Sequence, residues 1–251
     1  MFSYIWHTFF FDPVYNALVF FIDVLPGGDV GLAIIATTIV VKFVLLPLSI
    51  KAVKTQVVMQ EIEPKLKKIK ADIEDKQEQA QAMLALYRES GVNPFASILL
   101  LLIQLPIIIA LYLSVASGGG VPLPAINADL LYSFVSVPQD VLMIFMGMFD
   151  MTGRSIILAL LAGATQFLHT NMSLPQLPPR DPEAAPSMKD DFTRNMQLQM
   201  RYVLPIIITF FAYTISAAIA LYFLVSNVTS IVQEFYIKKH RKPLAPLVEV
   251  K

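Results

Sequence analysis

From Gly31 to Ile50 the chain runs for twenty residues with one charge, Lys42. As a helix rising about 1.5 Å per residue, such a run reaches roughly 30 Å, the thickness of a bilayer's hydrocarbon core. It is not alone. Residues 95–116, FASILLLLIQLPIIIALYLSVA, and about 155–171, SIILALLAGATQFLHTN, are similar, and 202–237 is nearly all apolar. With 56% hydrophobic and 15% charged residues over 251 positions, the expected fold class is an all-α membrane protein.

Basic residues accumulate on the cytoplasmic side of a membrane protein, which turns their positions into a topology. Residues 1–30 and 117–153 contain no lysine or arginine, whereas 51–93 carries Lys51, Lys54, Lys65, Lys67, Lys68, Lys70, Lys76 and Arg88. Segment 172–201 adds Arg180, Lys189, Arg194 and Arg201, and the tail 238–251 adds Lys238, Lys239, Arg241 and Lys242. The pattern predicts an outside N-terminal segment 1–30, a first span 31–50, a cytoplasmic 51–93, a second span 94–116, an outside 117–153, and a third span 154–171. A cytoplasmic loop 172–201 follows. Because that loop and the tail are both basic, 202–237 crosses an even number of times, as a hairpin turning near Ile215 to Ala218. Five spans result, with the N-terminus outside and the C-terminus in the cytoplasm.

Residues 3–25 are apolar but interrupted by Asp12, Pro13, Asn16 and Asp23. They read as an interfacial amphipathic helix rather than a sixth span, with Tyr4, Trp6 and Tyr15 at headgroup level. The run VLMIFMGMF at 141–149 is too short to cross and is expected on the outer face, covering the spans. Segment 51–93 mixes both charge signs with thinly spaced apolar residues and predicts two antiparallel helices joined near Asp72 to Lys76 and ended by SGVNP. Such an arm suits either a plain solvated link or a docking surface for cytoplasmic partners. The proline-rich 174–191 reads as a cytoplasmic loop of unassigned role.

Several chemistries are excluded. The chain has no cysteine, hence no disulfide, thiolate nucleophile or cysteine-held metal. A zero net charge argues against nucleic acid held by bulk positive charge. The N-terminal residues lack the basic region of a signal peptide. No phosphate-cradling G-x-x-x-x-G-K-[ST] occurs, SGGG at 117–120 is a flexible loop, and the Asn227 sequon lies within a predicted span. His7, His169 and His240 lie at different depths, which speaks against an intramembrane hydrolase or a metal site.

Within the spans, Thr38, Lys42 and Ser49 share one helix face at i, i+4 and i+11. Gln166, His169 and Thr170 lie on the third span, Gln104 precedes Pro106 on the second, and Ser216, Asn227, Ser230 and Glu234 form a stripe on the last. Taken singly, such groups are helix-to-helix glue. Lys42 is different, since a charge at mid-bilayer costs about 2.5–3.5 kcal/mol even on lenient insertion scales. It lies roughly 13 Å of helix rise from the boundary at Lys51, about twice what its side chain recovers by snorkelling. No acidic residue is predicted at its depth. A hydrated cavity within the bundle follows.

Several separate blocks in one order now resemble a known family, the YidC-type membrane protein insertases of bacteria and their mitochondrial and chloroplast relatives. They are PGGDVGLAIIATTIVVKFVLLPLSIK at 26–51, EIEPKLKKIK at 61–70, MLALYRESGVNPFASILLLLIQLPIIIALY at 83–112, LLAGATQFLHTNMS at 160–173 and ALYFLVSNVTSIVQEFYI at 220–237. The resemblance implies a five-helix core enclosing a hydrophilic groove open to cytoplasm and lipid, with a cytoplasmic helical hairpin after the first span. Family members usually carry arginine where this chain has Lys42, so the charge is kept while the always-protonated fork is lost. Thr38 and Gln166 match groove positions, and Phe223 stands where many members have an aromatic residue that meets the substrate helix. Where the family often has proline and glycine before the last span, this chain reads YTISAAIALY, predicting a less sharp turn. The basic tail is shorter than the ribosome-binding extension of some members.

What the resemblance implies is insertion and folding of nascent membrane proteins without nucleotide, cofactor or enzymatic step, in a bacterial cell membrane. Lys42, Thr38, Gln104, Gln166 and Asn227 would line the groove, and Tyr222 and Phe223 would meet the apolar segment of the substrate. Expected partners are nascent membrane proteins and lipid, with a Sec-type translocon, ribosome and signal recognition particle machinery as candidates at the cytoplasmic hairpin. The rival reading is a channel or secondary transporter whose midplane lysine binds an anion. Inverted repeats with interrupted helices would favour that reading, and none is visible.

Overall fold

The computed structural model describes residues 2–91, 93, 95–117, 120–174 and 194–240. Most of loop 174–191 lies outside them, as does the tail beyond His240. Arg180, Lys189, Arg241 and Lys242 go with those segments.

The described chain is mostly helical, in the order α1 (Ser3–Val24), α2 (Val30–Val44), α3 (Leu46–Asp72), α4 (Lys76–Glu89), α5 (Phe95–Ala116), α6 (Ile156–Ser173), α7 (Arg194–Ile215) and α8 (Ala217–Lys239). Between α5 and α6 lies a two-stranded antiparallel hairpin, β1 (Ile144–Phe145) and β2 (Phe149–Asp150). By length and composition α1, α7 and α8 are each sufficient to cross a membrane, and α2 with α3 forms a fourth candidate as a bent pair. The apolar run 31–50 is thus divided. Its break is Leu45, two residues before Pro47, whose missing N–H leaves the Phe43 carbonyl without its helical partner.

Two compact units are present: Met1–Val44 with Ile103–Ile231, and Leu45–Leu102 with Val232–Lys251. In the second, α3 and α4 pack Val58, Ile62 and Leu66 against Leu86, with Met59, Ile69, Met83 and Tyr87 around them. Asp75 caps α4, its carboxylate accepting from the N–H groups of Gln77 at 2.7 Å and Glu78 at 2.9 Å. Gly91, at φ +65°, follows α4 in the left-handed conformation that glycine tolerates at a helix end.

In the first unit two helices contain a widened π turn, His7–Phe11 in α1 and Gln199–Val203 in α7. Each turn is followed two residues later by proline, Pro13 and Pro205. A proline ring presses on the carbonyl four residues back and cannot donate to it, and widening that turn relieves both faults. The helices α6 and α7 meet closely at Gly163, where any Cβ would fall on the hydroxyl of Thr209. That hydroxyl donates back to the Pro205 carbonyl at 2.9 Å. Such close approach through small residues is how helices gain contact where lipid removes the hydrophobic drive.

Segment 120–153 is held by buried polar side chains. The Tyr15 hydroxyl accepts from Asn127 N–H at 2.9 Å. Asn16 donates to the Leu130 carbonyl at 2.9 Å and accepts from Tyr132 N–H at 2.6 Å. Tyr15, expected at headgroup level, is instead fully buried, stacked on Phe11. Its phenol finds in the Asn127 N–H the partner that the headgroups were to supply. The run expected to cover the spans at 141–149 forms β1 and β2, whose turn uses Met146 at φ +50° and Gly147 at φ +72°. Finally, α7 and α8 are separated by one extended residue, Ser216 at φ −167°, ψ 161°. The first N–H groups of α8 are taken by loop carbonyls, Ala217 to Gly153 at 2.7 Å and Ala218 to Met151 at 3.2 Å. Without proline or glycine, the connection rests on these bonds and on four small or apolar buried residues, Ala217 to Ala220.

Candidate functional site

Two helices send a polar side chain to α8, and α8 sends one to a third. From α2, the Lys42 ammonium donates to the Ser230 hydroxyl at 2.9 Å, and Lys42 is buried. From α5, Gln104 hydrogen-bonds to the Tyr222 hydroxyl. From α8 itself, Asn227 donates to the Ala162 carbonyl at 3.2 Å and to the Thr165 hydroxyl at 3.4 Å, both on α6. Tyr222, Ser226 and Ser230 follow one another at i, i+4 and i+8, so they form a stripe along one face, and Tyr222 also bonds to Ser226.

The remaining expected residues are placed differently. Thr38 donates to the Ile34 carbonyl at 2.7 Å, within its own helix, which leaves its oxygen able to accept. Gln166 donates to Thr170 at 3.1 Å, again within one helix. Phe223 is half-buried and meets the Tyr222 ring edge-on at 5.7 Å. The structure therefore brings Lys42 and Gln104 to the Tyr222–Ser230 face of α8 and turns Asn227 to α6, while Thr38 and Gln166 turn their donors toward their own helices.

Two residues escaped the sequence reading as site members. Ser230 stood on the polar stripe of the last helix, but nothing in sequence marks it as the partner of a lysine 188 positions earlier. Thr37 is buried, and its hydroxyl has no hydrogen-bond partner among the described residues. Its neighbour Thr38 drew attention by sharing a face with Lys42, which Thr37 does not. Chemically, the group offers a cation, hydroxyls and amides, with the Lys42 nitrogen in hydrogen-bond contact with the Ser230 hydroxyl. These donors and acceptors suit recognition of a polar chain.

Residues 21–243 match the family described as 60Kd inner membrane protein. Among curated relatives, "Membrane protein insertase YidC 2" of Bacillus anthracis is 30% identical over 239 residues, 93% of this chain and 81% of that protein. "Membrane protein insertase YidC" of Oceanobacillus iheyensis is 31% identical over 242 residues, 94% of this chain and 84% of that protein. The protein of the same name from Clostridium tetani is 31% identical over 215 residues, 85% of this chain and 84% of its own.

Proposed function

Since this chain belongs to the 60Kd inner membrane protein family, to which the YidC insertases belong, we propose that it inserts nascent membrane proteins through a hydrophilic groove along α8. The observation that carries this reading is Lys42, a cation buried inside an apolar helix whose partner is a neutral hydroxyl and not a carboxylate. A buried ammonium with so weak a partner needs water or a passing anion for the rest of its solvation. The buried Thr37 hydroxyl makes the same demand.

The mechanism is physical. A hydrophilic, often acidic, segment of the substrate must traverse a layer of low dielectric, and a groove of hydroxyls, amides and one cation lowers that barrier. Lys42 attracts the acidic segment; Thr38, Gln104, Gln166 and Asn227 offer hydrogen bonds. The substrate's apolar segment then passes Tyr222 and Phe223 into lipid, where burying about 20 apolar residues drives release without nucleotide.

We place five crossings in the bilayer, with the N-terminus outside and α1 in the interface. Although α1 is long enough to cross, its middle, Tyr15 and Asn16, is bonded to loop residues 127, 130 and 132. A crossing helix would offer that loop an end. The α3 and α4 arm is the surface we assign to a Sec-type translocon, ribosome or signal recognition particle machinery.

The test is insertion of a single-spanning protein with an acidic outer segment into proteoliposomes holding only this chain. At 4 Å a pair of unit charges gains about 1 kcal/mol in water and about 4 kcal/mol at an effective dielectric of 20. Lys42→Ala should therefore slow insertion at least about fivefold, and Lys42→Arg should not. Equal rates in all three proteins would remove Lys42 from the mechanism. A folded wild type that inserts nothing but conducts anions would move the transporter reading to the front.

A further inference from the structure

We propose that the β1–β2 hairpin is a lipid anchor whose tip, Ile144 to Met148, is immersed in the leaflet at the amino-terminal end of α2. Its depth is set by bonds to the start of that helix. Asp29 caps α2 with one carboxylate oxygen, accepting from Leu32 N–H at 3.0 Å, and accepts from Met146 N–H at 3.2 Å with the other. Val30 N–H donates to the Leu142 carbonyl at 3.0 Å, and Leu142 N–H to the Gly28 carbonyl at 2.8 Å. The Phe145 ring occupies the space a Cβ on Gly31 would need. The hairpin is thus level with the first turn of α2.

Its sidedness follows from the strand alternation. Phe145 points inward, while Leu142, Ile144, Met146 and Met148 are exposed, the two methionines at 67% and 70%. No charge occurs from Val141 to Phe149, and the acids Asp140 and Asp150 stand at the base of the hairpin. An uncharged apolar tip, held where a membrane helix begins, continues the lipid-facing surface of that helix. Methionine suits the role because its unbranched chain adapts to a fluid surrounding. With no lysine or arginine between 117 and 153, the anchorage draws nothing from anionic headgroups and is indifferent to salt.

The proposal rests on the reading that α2 lies in the bilayer, and the test separates the two. In full-length protein with Trp6→Phe, tryptophan is introduced at Met148, at Ile144 or, as a control on α7, at Phe210, which is exposed. Each protein is reconstituted in phosphatidylcholine vesicles brominated at a shallow or a deep acyl position. The expected result is that Met148→Trp and Ile144→Trp are quenched more by shallow than by deep bromine, resist aqueous iodide, and respond identically when anionic lipid or salt is added. Iodide quenching without bromine quenching at both positions, with Phe210→Trp quenched by bromine, overturns the anchor alone. If the control also escapes bromine, the membrane reading fails and the anchor with it. A response that depends on anionic lipid overturns the apolar account.

Discussion

The contact of α6 with α7 at Gly163 makes a sharp prediction. An added Cβ falls on the Thr209 hydroxyl, with the Thr209 Cβ at 3.1 Å and the Pro205 carbonyl oxygen at 3.3 Å. In Gly163→Ala the hydroxyl must therefore rotate away and give up its bond to the Pro205 carbonyl, a loss of about 0.5–1.5 kcal/mol. The two remaining contacts are tight but demand shifts of only tenths of an ångström. The total falls in the usual range for overpacking, about 1–3 kcal/mol. For a chain of this size each kcal/mol lowers the thermal midpoint by about 2–4 °C, readable in detergent from the fluorescence of the single tryptophan. Thr209→Ala removes the colliding oxygen, so the double variant should cost less than the sum of the singles by roughly 1 kcal/mol. A Gly163→Ala protein as stable as wild type would refute the packing argument, as would additivity within about 0.5 kcal/mol.

Asn227→Ala removes both bonds from α8 to α6 and should lower stability by about 0.6 kcal/mol and at most about 1.7 kcal/mol, whereas Lys42→Ala should impair insertion with little change in thermal midpoint. Tyr222→Phe keeps the ring against Phe223 but loses the hydroxyl that meets Gln104 and Ser226, so crosslinking of a substrate helix to position 223 should persist while the midpoint falls slightly. The Asp150 carboxyl accepts from the Thr152 hydroxyl at 2.7 Å and N–H at 2.9 Å, which holds it below its ordinary range. Its stabilisation is present above the ordinary carboxylate pKa and lost as pH falls through the lowered folded value. The stability gap between wild type and Asp150→Asn should thus narrow in acid, and a gap independent of pH would count against it.

How much of this was legible in the sequence depended on the range of the interaction. Lys42 stood out because one charge in an apolar run is costly wherever it lies, but of the expected stripe Ser216, Asn227, Ser230 and Glu234, Ser216 lies before the helix and Asn227 turns to α6. The helical nature of most of the chain and the break inside 202–237 are readable from apolar length and basic residues, and the helices separate at Ser216. Partners were not readable. Ser230, Gly163 and Thr209 are ordinary residues until a distant helix is set against them. Tyr15 misled because an aromatic ring with a polar tip has one appearance in sequence, whether the tip meets a headgroup or a buried N–H. The 141–149 run lacked the period-two alternation of a half-buried strand, and its turn places a non-glycine residue, Met146, at positive φ.

The bond from Lys42 to Ser230 spans 188 residues, and at synthesis rates of about 5–20 residues per second that separation takes roughly 9–38 s to make. Throughout that interval the lysine exists and its hydroxyl does not. The nascent chain must therefore hold Lys42 in water, or in the proposed groove of a copy already made, until α8 arrives. On the proposed function, a protein that eases charged segments across a bilayer thus poses, in its own α2, the problem it solves for others.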